Sequence, residues 1–235
     1  MPFDVDFFVS TFFEVWKGVP VSFAILIVSF IIGLPLGFLL AVARFRKFKV
    51  TGPISTVYVS FMRGVPLIAL LYFTYNLIPS ALNIWFKNMG WDIDVFKIPT
   101  ILYAFLIFGL NVAALASEVF RAGLVSVDKG QMEAAQAMGM TTWQAYKRII
   151  IPQALVNALP NLCNLTVNTF KGTSLAFSMS VMDITAVART EAGLSFSYLE
   201  AYCDVFLVYL ILILIIDRLF RIAEKKLKKY KALNV

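Results

Sequence analysis

Four charged residues lie within or against stretches that are otherwise apolar: Arg63, Glu118, Arg121 and Lys171. Inside a bilayer such charges are costly unless paired or wetted, so each is a functional suspect. Glu118 and Arg121 are three apart, a spacing at which side chains meet on one helix face, and are expected to form an internal ion pair. Arg63 is read as structural or as part of a gate. Lys171 differs, because no carboxylate stands three or four positions away and its neighbours are Asn168, Thr173 and Ser174. An unpaired ammonium among hydroxyls and an amide suits a carboxylate ligand, with those three side chains adding hydrogen bonds. The plainer reading is a lysine that only hydrates a water-filled vestibule. Other chemistries are excluded: the chain has no histidine for zinc ligation or a Ser-His or Cys-His dyad. It also lacks the phosphate-binding pattern GxxxxGK[ST], so it is expected to be no enzyme and to bind no cofactor itself.

The elements that would carry these residues are membrane helices. Of 235 residues, 60% are hydrophobic and only 15% charged, against roughly 25% charged in soluble domains, and the mean hydropathy is +0.81. Too little polar surface is left to cover a soluble globule. The net charge of +7 does not point to nucleic acid, because the basic residues flank apolar runs rather than alternate with stacking aromatics. Cys163 and Cys203 fall in or beside apolar segments and are read as packing residues, not as a disulfide. Asp4 and Asp6 open the chain without a basic region, so the first apolar stretch is read as a permanent span rather than a signal peptide.

A spanning helix needs about 20 mainly apolar residues. The expectation is an all-α, polytopic membrane protein of a single domain, 1–235, with five spans near 17–43, 53–79, 98–126, 149–182 and 198–221. Asp204 and Asp217 would then lie towards the two interfaces. Basic residues cluster after span one (Arg44, Arg46, Lys47, Lys49), after span three (Lys129, Lys147, Arg148) and in the C-terminal tail from Arg218 to Lys231. By the preference of cytoplasmic loops for Lys and Arg, the N-terminus is outside and the C-terminus inside. The tail Lys225–Lys231 would rest on anionic lipid headgroups. Five helices enclose little of a pore, so a second copy or a paralogue is expected beside this one.

Between spans three and four runs a cytoplasmic segment. Gln131–Met138 is made of good helix formers, Gly139 is placed to end that helix in a left-handed conformation, and Thr142 would cap the next. Pro152 marks a kink or the first turn of the following span. The helix, about 129–140, would lie across the cytoplasmic mouth with small residues outward. On physical grounds it is equally a partner's dock or a tight helix-turn-helix connection.

Glu133-Ala134-Ala135, Gly139, Ile149, Ile151 and Pro152 resemble the EAA signature of bacterial ABC-importer permeases: EAA, three residues, Gly, nine residues, Ile-x-Leu-Pro, with Ile151 in place of Leu. Tyr58–Leu67 is similar to the "YV…RGTPLL" stretch of the polar amino acid branch, the histidine, glutamine and cystine permeases. Ala114–Gly123 is similar to that branch's "AYxxExxRxG" and Lys171–Leu175 to its "KDTSL". Val65, Leu115 and Gly172 stand where Thr, Tyr and Asp are usual. The resemblance covers the chain from about Val19 to the last span.

It implies a type I ABC importer permease fold in the bacterial plasma (inner) membrane. Glu133, Ala134, Ala135 and Gly139 would couple to a separate cytoplasmic ATPase that binds ATP and Mg. Cargo would come from an extracytoplasmic amino-acid-binding protein docked on loops around Pro79–Lys97 and Asp183–Ser197. Lys171, Asn168, Thr173, Ser174, Arg121 and Glu118 are the expected substrate-binding residues. Gly172 cannot pair with a guanidinium as an Asp would, so neutral or sulfur-containing amino acids such as cystine are expected over basic ones. A stand-alone secondary transporter or channel using Glu118 and Lys171 as ion or proton sites, or a membrane scaffold, are the alternatives.

Overall fold

The computed structural model describes residues 3–233, with side chains described except at position 194 and from 228 onward. Among the described residues all regular structure is helical. Helix α1, Val5–Val15, begins where the Asp4 carboxylate accepts a hydrogen bond from the Phe7 N–H. A single 3-10 turn, Trp16–Gly18, passes it into α2, Val19–Phe45. The rod thus starts about a dozen residues before the span expected at 17–43. Charges at Asp6, Glu14 and Lys17 hid it, but Glu14 and Lys17 pair with each other on an exposed face and cost the helix little.

The second expected span, 53–79, is two helices. α3 covers Thr51–Gly64 and α4 covers Leu67–Asn88, split at Val65-Pro66. Val65 is extended (φ −98°, ψ 132°), as a residue before proline prefers, and Pro66 has no N–H to continue the helix. α5, Thr100–Val125, follows. Then come α6, Lys129–Ala137, and α7, Thr142–Ala145, with a π turn at Tyr146–Ile150 leading into α8, Ile151–Gly172. The stretch expected as one span, 149–182, narrows after Gly172 to a 3-10 helix, Thr173–Met179, which Ser180 ends in a left-handed conformation (φ 58°). α9, Ile184–Ser195, and α10, Tyr198–Leu233, complete the chain.

Four of the described helical segments are long and apolar enough to cross a bilayer: Val5–Phe45, Leu67–Asn88, Thr100–Val125 and Tyr198–Leu227. α8 has the same 22-residue length as α4 but is too polar to be counted with them. The expected external loops are largely helix. Pro79 lies within α4, and the segment from Asp183 forms α9, whose Ile184, Ala188 and Ala192 pack against α1 and α10.

α5 is the central post, with α2 on one flank and α8 on another, and small residues set how closely they approach. A Cβ at Gly33 would come within 2.5 Å of Val112, and one at Gly37 within 2.8 Å of the Ala113 carbonyl. A Cβ at Gly123 would meet the Ala154 carbonyl at 2.7 Å. One apolar cluster joins Ile25, Val59, Leu71, Phe108 and Met179; a second joins Val15, Phe170, Ile184 and Val208. Asp204 is fully buried on α10, with neither carboxylate oxygen hydrogen-bonded among the described residues. Cys163 and Cys203 are free and half-buried.

Candidate functional site

Three places carry the residues singled out by the sequence. The first is the segment from α6 to α8. Asp128 starts α6 by accepting a hydrogen bond from the Gly130 N–H at 2.7 Å. The helix ends after Ala137, and Gly139 adopts φ +78°, the left-handed conformation expected of it. Thr141, rather than Thr142, caps α7. Its hydroxyl accepts from the Gln144 N–H while the Gln144 side chain accepts from the Thr141 N–H, a reciprocal capping box. Pro152 falls in the first turn of α8, where its missing N–H costs nothing.

Glu133, Ala134 and Gly139 are exposed on this segment, but Ala135 is buried on the side towards α7 and the π turn. Ala135 therefore seats the short helix rather than offering surface. Among large apolar residues of the segment, Met138 and Trp143 are the most exposed, at 82% and 69%. The Arg46 guanidinium lies 5.2 Å from the centre of the Tyr146 ring and ties the end of α2 to the same segment.

The second place is the charge cluster. Glu118 and Arg121 do pair, Arg121 Nη2 to Glu118 Oε2 at 2.9 Å, but they are not alone. Arg44, at the end of α2, donates to Glu118 Oε1 at 2.6 Å, and Arg63 of α3 approaches the same oxygen at 3.6 Å. One carboxylate thus holds three helices together and is shared by three guanidiniums. Arg44 is the most enclosed of the three, with 15% of its side chain exposed, while Arg63 retains 53%. Arg44 escaped the sequence reading because it sits in a run of basic residues that topology alone explained.

The third place is the end of α8. Lys171 and Asn168 are both exposed, and no hydrogen bond or ion pair engages either side chain among the described residues. Ser174 is half-buried and its hydroxyl donates to the Lys171 carbonyl at 2.8 Å, so it fixes backbone as well as bordering that face. Thr173 points the other way. It is fully buried, donating to the Phe170 carbonyl at 2.7 Å and lying 3.3 Å from the Tyr209 hydroxyl. Gly172 faces Leu67 and Phe108, at 3.4 and 3.7 Å from where a Cβ would stand. Lys171 and Asn168 therefore come together, Thr173 does not join them, and Glu118 and Arg121 belong to the separate arginine cluster.

A bundle of long apolar helices with a short, exposed helix between two of them and a polar face on another is the architecture of an importer's transmembrane subunit. A family model described as "Binding-protein-dependent transport system inner membrane component" matches residues 33–229, and the chain belongs to that family. It is a multi-pass protein of the bacterial inner membrane. It is 39% identical to the L-cystine transport system permease protein TcyL of Bacillus subtilis (strain 168) over 210 residues, 89% of this chain and 85% of that one. It is 32% identical to the arginine transport system permease protein ArtQ of the same organism over 212 residues, 90% and 91% of the two chains. A solved structure described as an amino acid ABC transporter with histidines superposes with a TM-score of 0.81 at 26% identity, covering 96% of this chain and 100% of that one.

Proposed function

We propose that the chain is the permease subunit of an ATP-driven importer for polar amino acids, working beside a second copy or a paralogue. It makes five crossings, with α8 as the polar one and the N-terminus outside. A separate ATPase docks on α6 and its flanks, where Glu133, Ala134, Gly139, Met138 and Trp143 are exposed. ATP and Mg are held by that subunit. Cargo is delivered by an external binding protein, which meets the exposed stretch beyond α4, from Met89 to Asp94, and the connection between α9 and α10, where Ser195 and Phe196 are exposed.

The observation that carries the cargo reading is Lys171, an ammonium exposed on α8 with no carboxylate partner. It meets the α-carboxylate, and Asn168 supplies a hydrogen bond beside it. Gly172 brings no acidic group for a guanidinium or a second ammonium, which favours neutral or sulfur-containing cargo such as cystine over arginine. The greater identity to a cystine permease than to an arginine permease supports the same choice. Uptake of labelled cystine by cells expressing the permease with its ATPase and binding protein tests this. Uptake should stop with vanadate and be outcompeted poorly by arginine. Vanadate-insensitive uptake, or an arginine preference, would overturn it.

A further inference from the structure

The polar residues of α8 form a pattern that runs from its start to Lys171. Gln153, Asn157, Asn161, Asn164, Asn168 and Lys171 are separated by four, four, three, four and three positions. At 3.6 residues per turn they all fall within about 80° of one another around the helix axis, and they extend about 27 Å along it. That is nearly the roughly 30 Å of a bilayer's hydrocarbon core. Asn161, Asn164, Asn168 and Lys171 are exposed and make no side-chain hydrogen bond among the described residues. Three such amides and a lysine on one face are untenable against lipid and are at home along water, a polar solute or a neighbouring subunit.

Near its lower end the row opens into a cleft between α5 and α8 of about 420 Å³, bordered by Ser126, Val156, Asn157, Pro160 and Asn161. Asn157 Nδ2 donates to Ser126 Oγ at 2.9 Å, joining α8 to the end of α5 at the cleft. Pro160, inside α8, brings no N–H for the Val156 carbonyl, which adds a backbone acceptor to the same wall. Every residue bordering the cleft is uncharged. Donors and acceptors are thus mixed without net charge, a setting that suits a zwitterion and offers no counter-ion to a guanidinium. The size is within the range of small-molecule pockets.

We infer that this cleft is a second cargo site, for a zwitterionic amino acid that has left Lys171, and that Asn161, Asn164 and Asn168 are the rungs between the two. The inference rests on the amino acid reading above. Lys171 takes the carboxylate first. The rungs then replace its hydration in passing, each amide accepting from the ammonium and donating to the carboxylate. Release into the cleft at Asn161 is followed by exit past Ser126 and Asn157.

The test uses the permease reconstituted with its ATPase and binding protein in liposomes, with Cys163 and Cys203 replaced by Ala. Cysteines are placed singly at Asn161, Asn164 and Asn168, and at Leu155, an exposed apolar position on another face of α8. A charged, membrane-impermeant methanethiosulfonate should label the three rungs and spare Leu155→Cys, and saturating cystine should protect Asn161→Cys. Asn161→Leu should raise the KM for cystine about tenfold, as expected for lost hydrogen bonds at a binding step, and Asn161→Ser should recover most of it. Rungs that resist the charged reagent while the importer transports normally, or Asn161→Leu with unaltered KM, would overturn the inference. A protein labelled in the expected pattern that carries no amino acid would overturn the cargo reading and leave the row as a polar path for another solute.

Discussion

α5 and α8 lie side by side and are similar in length, yet they are built on opposite principles. α5 is buried over most of its surface, with Tyr103, Phe108, Val112, Ala116 and Phe120 all enclosed and glycines of α2 pressed against it. α8 buries a narrower stripe, including Ala154, Ala158, Leu165 and Phe170, and leaves a face of amides and one lysine uncovered. Close packing along most of its length makes α5 a fixed reference; a half-polar face makes α8 the surface proposed for cargo. The contrast teaches that in a small permease the scaffold and the path are separate helices in contact, so each can be broken without the other.

The largest effect should come from the scaffold. Gly37→Leu puts a branched side chain where even a Cβ would stand 2.8 Å from the Ala113 carbonyl and the Ala116 Cβ. Overpacking of that kind costs about 1–3 kcal/mol or more, and backbone cannot yield as a side chain would. The assembled permease should be largely lost from detergent-solubilised membranes on size-exclusion chromatography. Normal recovery would show that α2 and α5 are less tightly joined than their spacing says.

Next is the dock. Gly139→Asp forces a carboxylate into the left-handed region, at a cost of about 1–2 kcal/mol, on a surface offered to the ATPase. Uptake should fall to background while the permease still folds and the ATPase still hydrolyses ATP. Coupled transport at the normal rate would remove α6 from the energy path.

On the cargo face, Lys171→Ala should reduce cystine uptake about tenfold, as loss of one charge-assisted hydrogen bond implies, with expression unchanged. Wild-type transport by this variant would refute the carboxylate role. Glu118→Gln should act on the scaffold instead. It leaves Arg44, Arg63 and Arg121 around a neutral group and should lower the melting temperature by a few degrees, an effect shrinking in high salt because the cluster is part-exposed.

The smallest effect concerns Asp183, in the connection before α9. It caps that helix by accepting from the Ala186 N–H at 2.9 Å, and burial pushes its carboxyl up to about 7 from 3.8. The folded protein therefore holds this proton more tightly than the unfolded chain. Its contribution is fully favourable below about pH 3.8 and fades as pH rises towards 7. Asp183→Asn should flatten the fall in melting temperature between pH 5 and 8, as followed by scanning fluorimetry; an identical pH profile would place the carboxyl in contact with water.

Much of this organisation is legible in the residues. The uncharged run from Ile98 to Ser117 locates α5, and Gly139 marks the end of α6 because a left-handed residue is so nearly glycine's own conformation. The break at Val65-Pro66 is also local chemistry, yet hydropathy averages over a single proline and shows one apolar stretch there. What the sequence conceals is partnership across distance. Arg44 reaches Glu118 over 74 positions, and nothing in the neighbourhood of either residue announces the other. Thr173 and Lys171 are two apart and look like one polar site, but residues two apart on a helix point in different directions. The structure accordingly sends Thr173 to Tyr209 and leaves Lys171 exposed. The amide row on α8 was open to reading, since its period is that of a helix; only the exposure of its members distinguishes a path from a packed polar seam.

The central claim is that α6 passes the energy of a separate ATPase to a path for neutral amino acids. The most direct measurement is accumulation of labelled cystine and labelled arginine in liposomes carrying the permease, ATPase and binding protein, with and without ATP on the cytoplasmic side. ATP-dependent accumulation of cystine against its gradient, exceeding that of arginine, is predicted. Accumulation without ATP, or of arginine in preference, would contradict it.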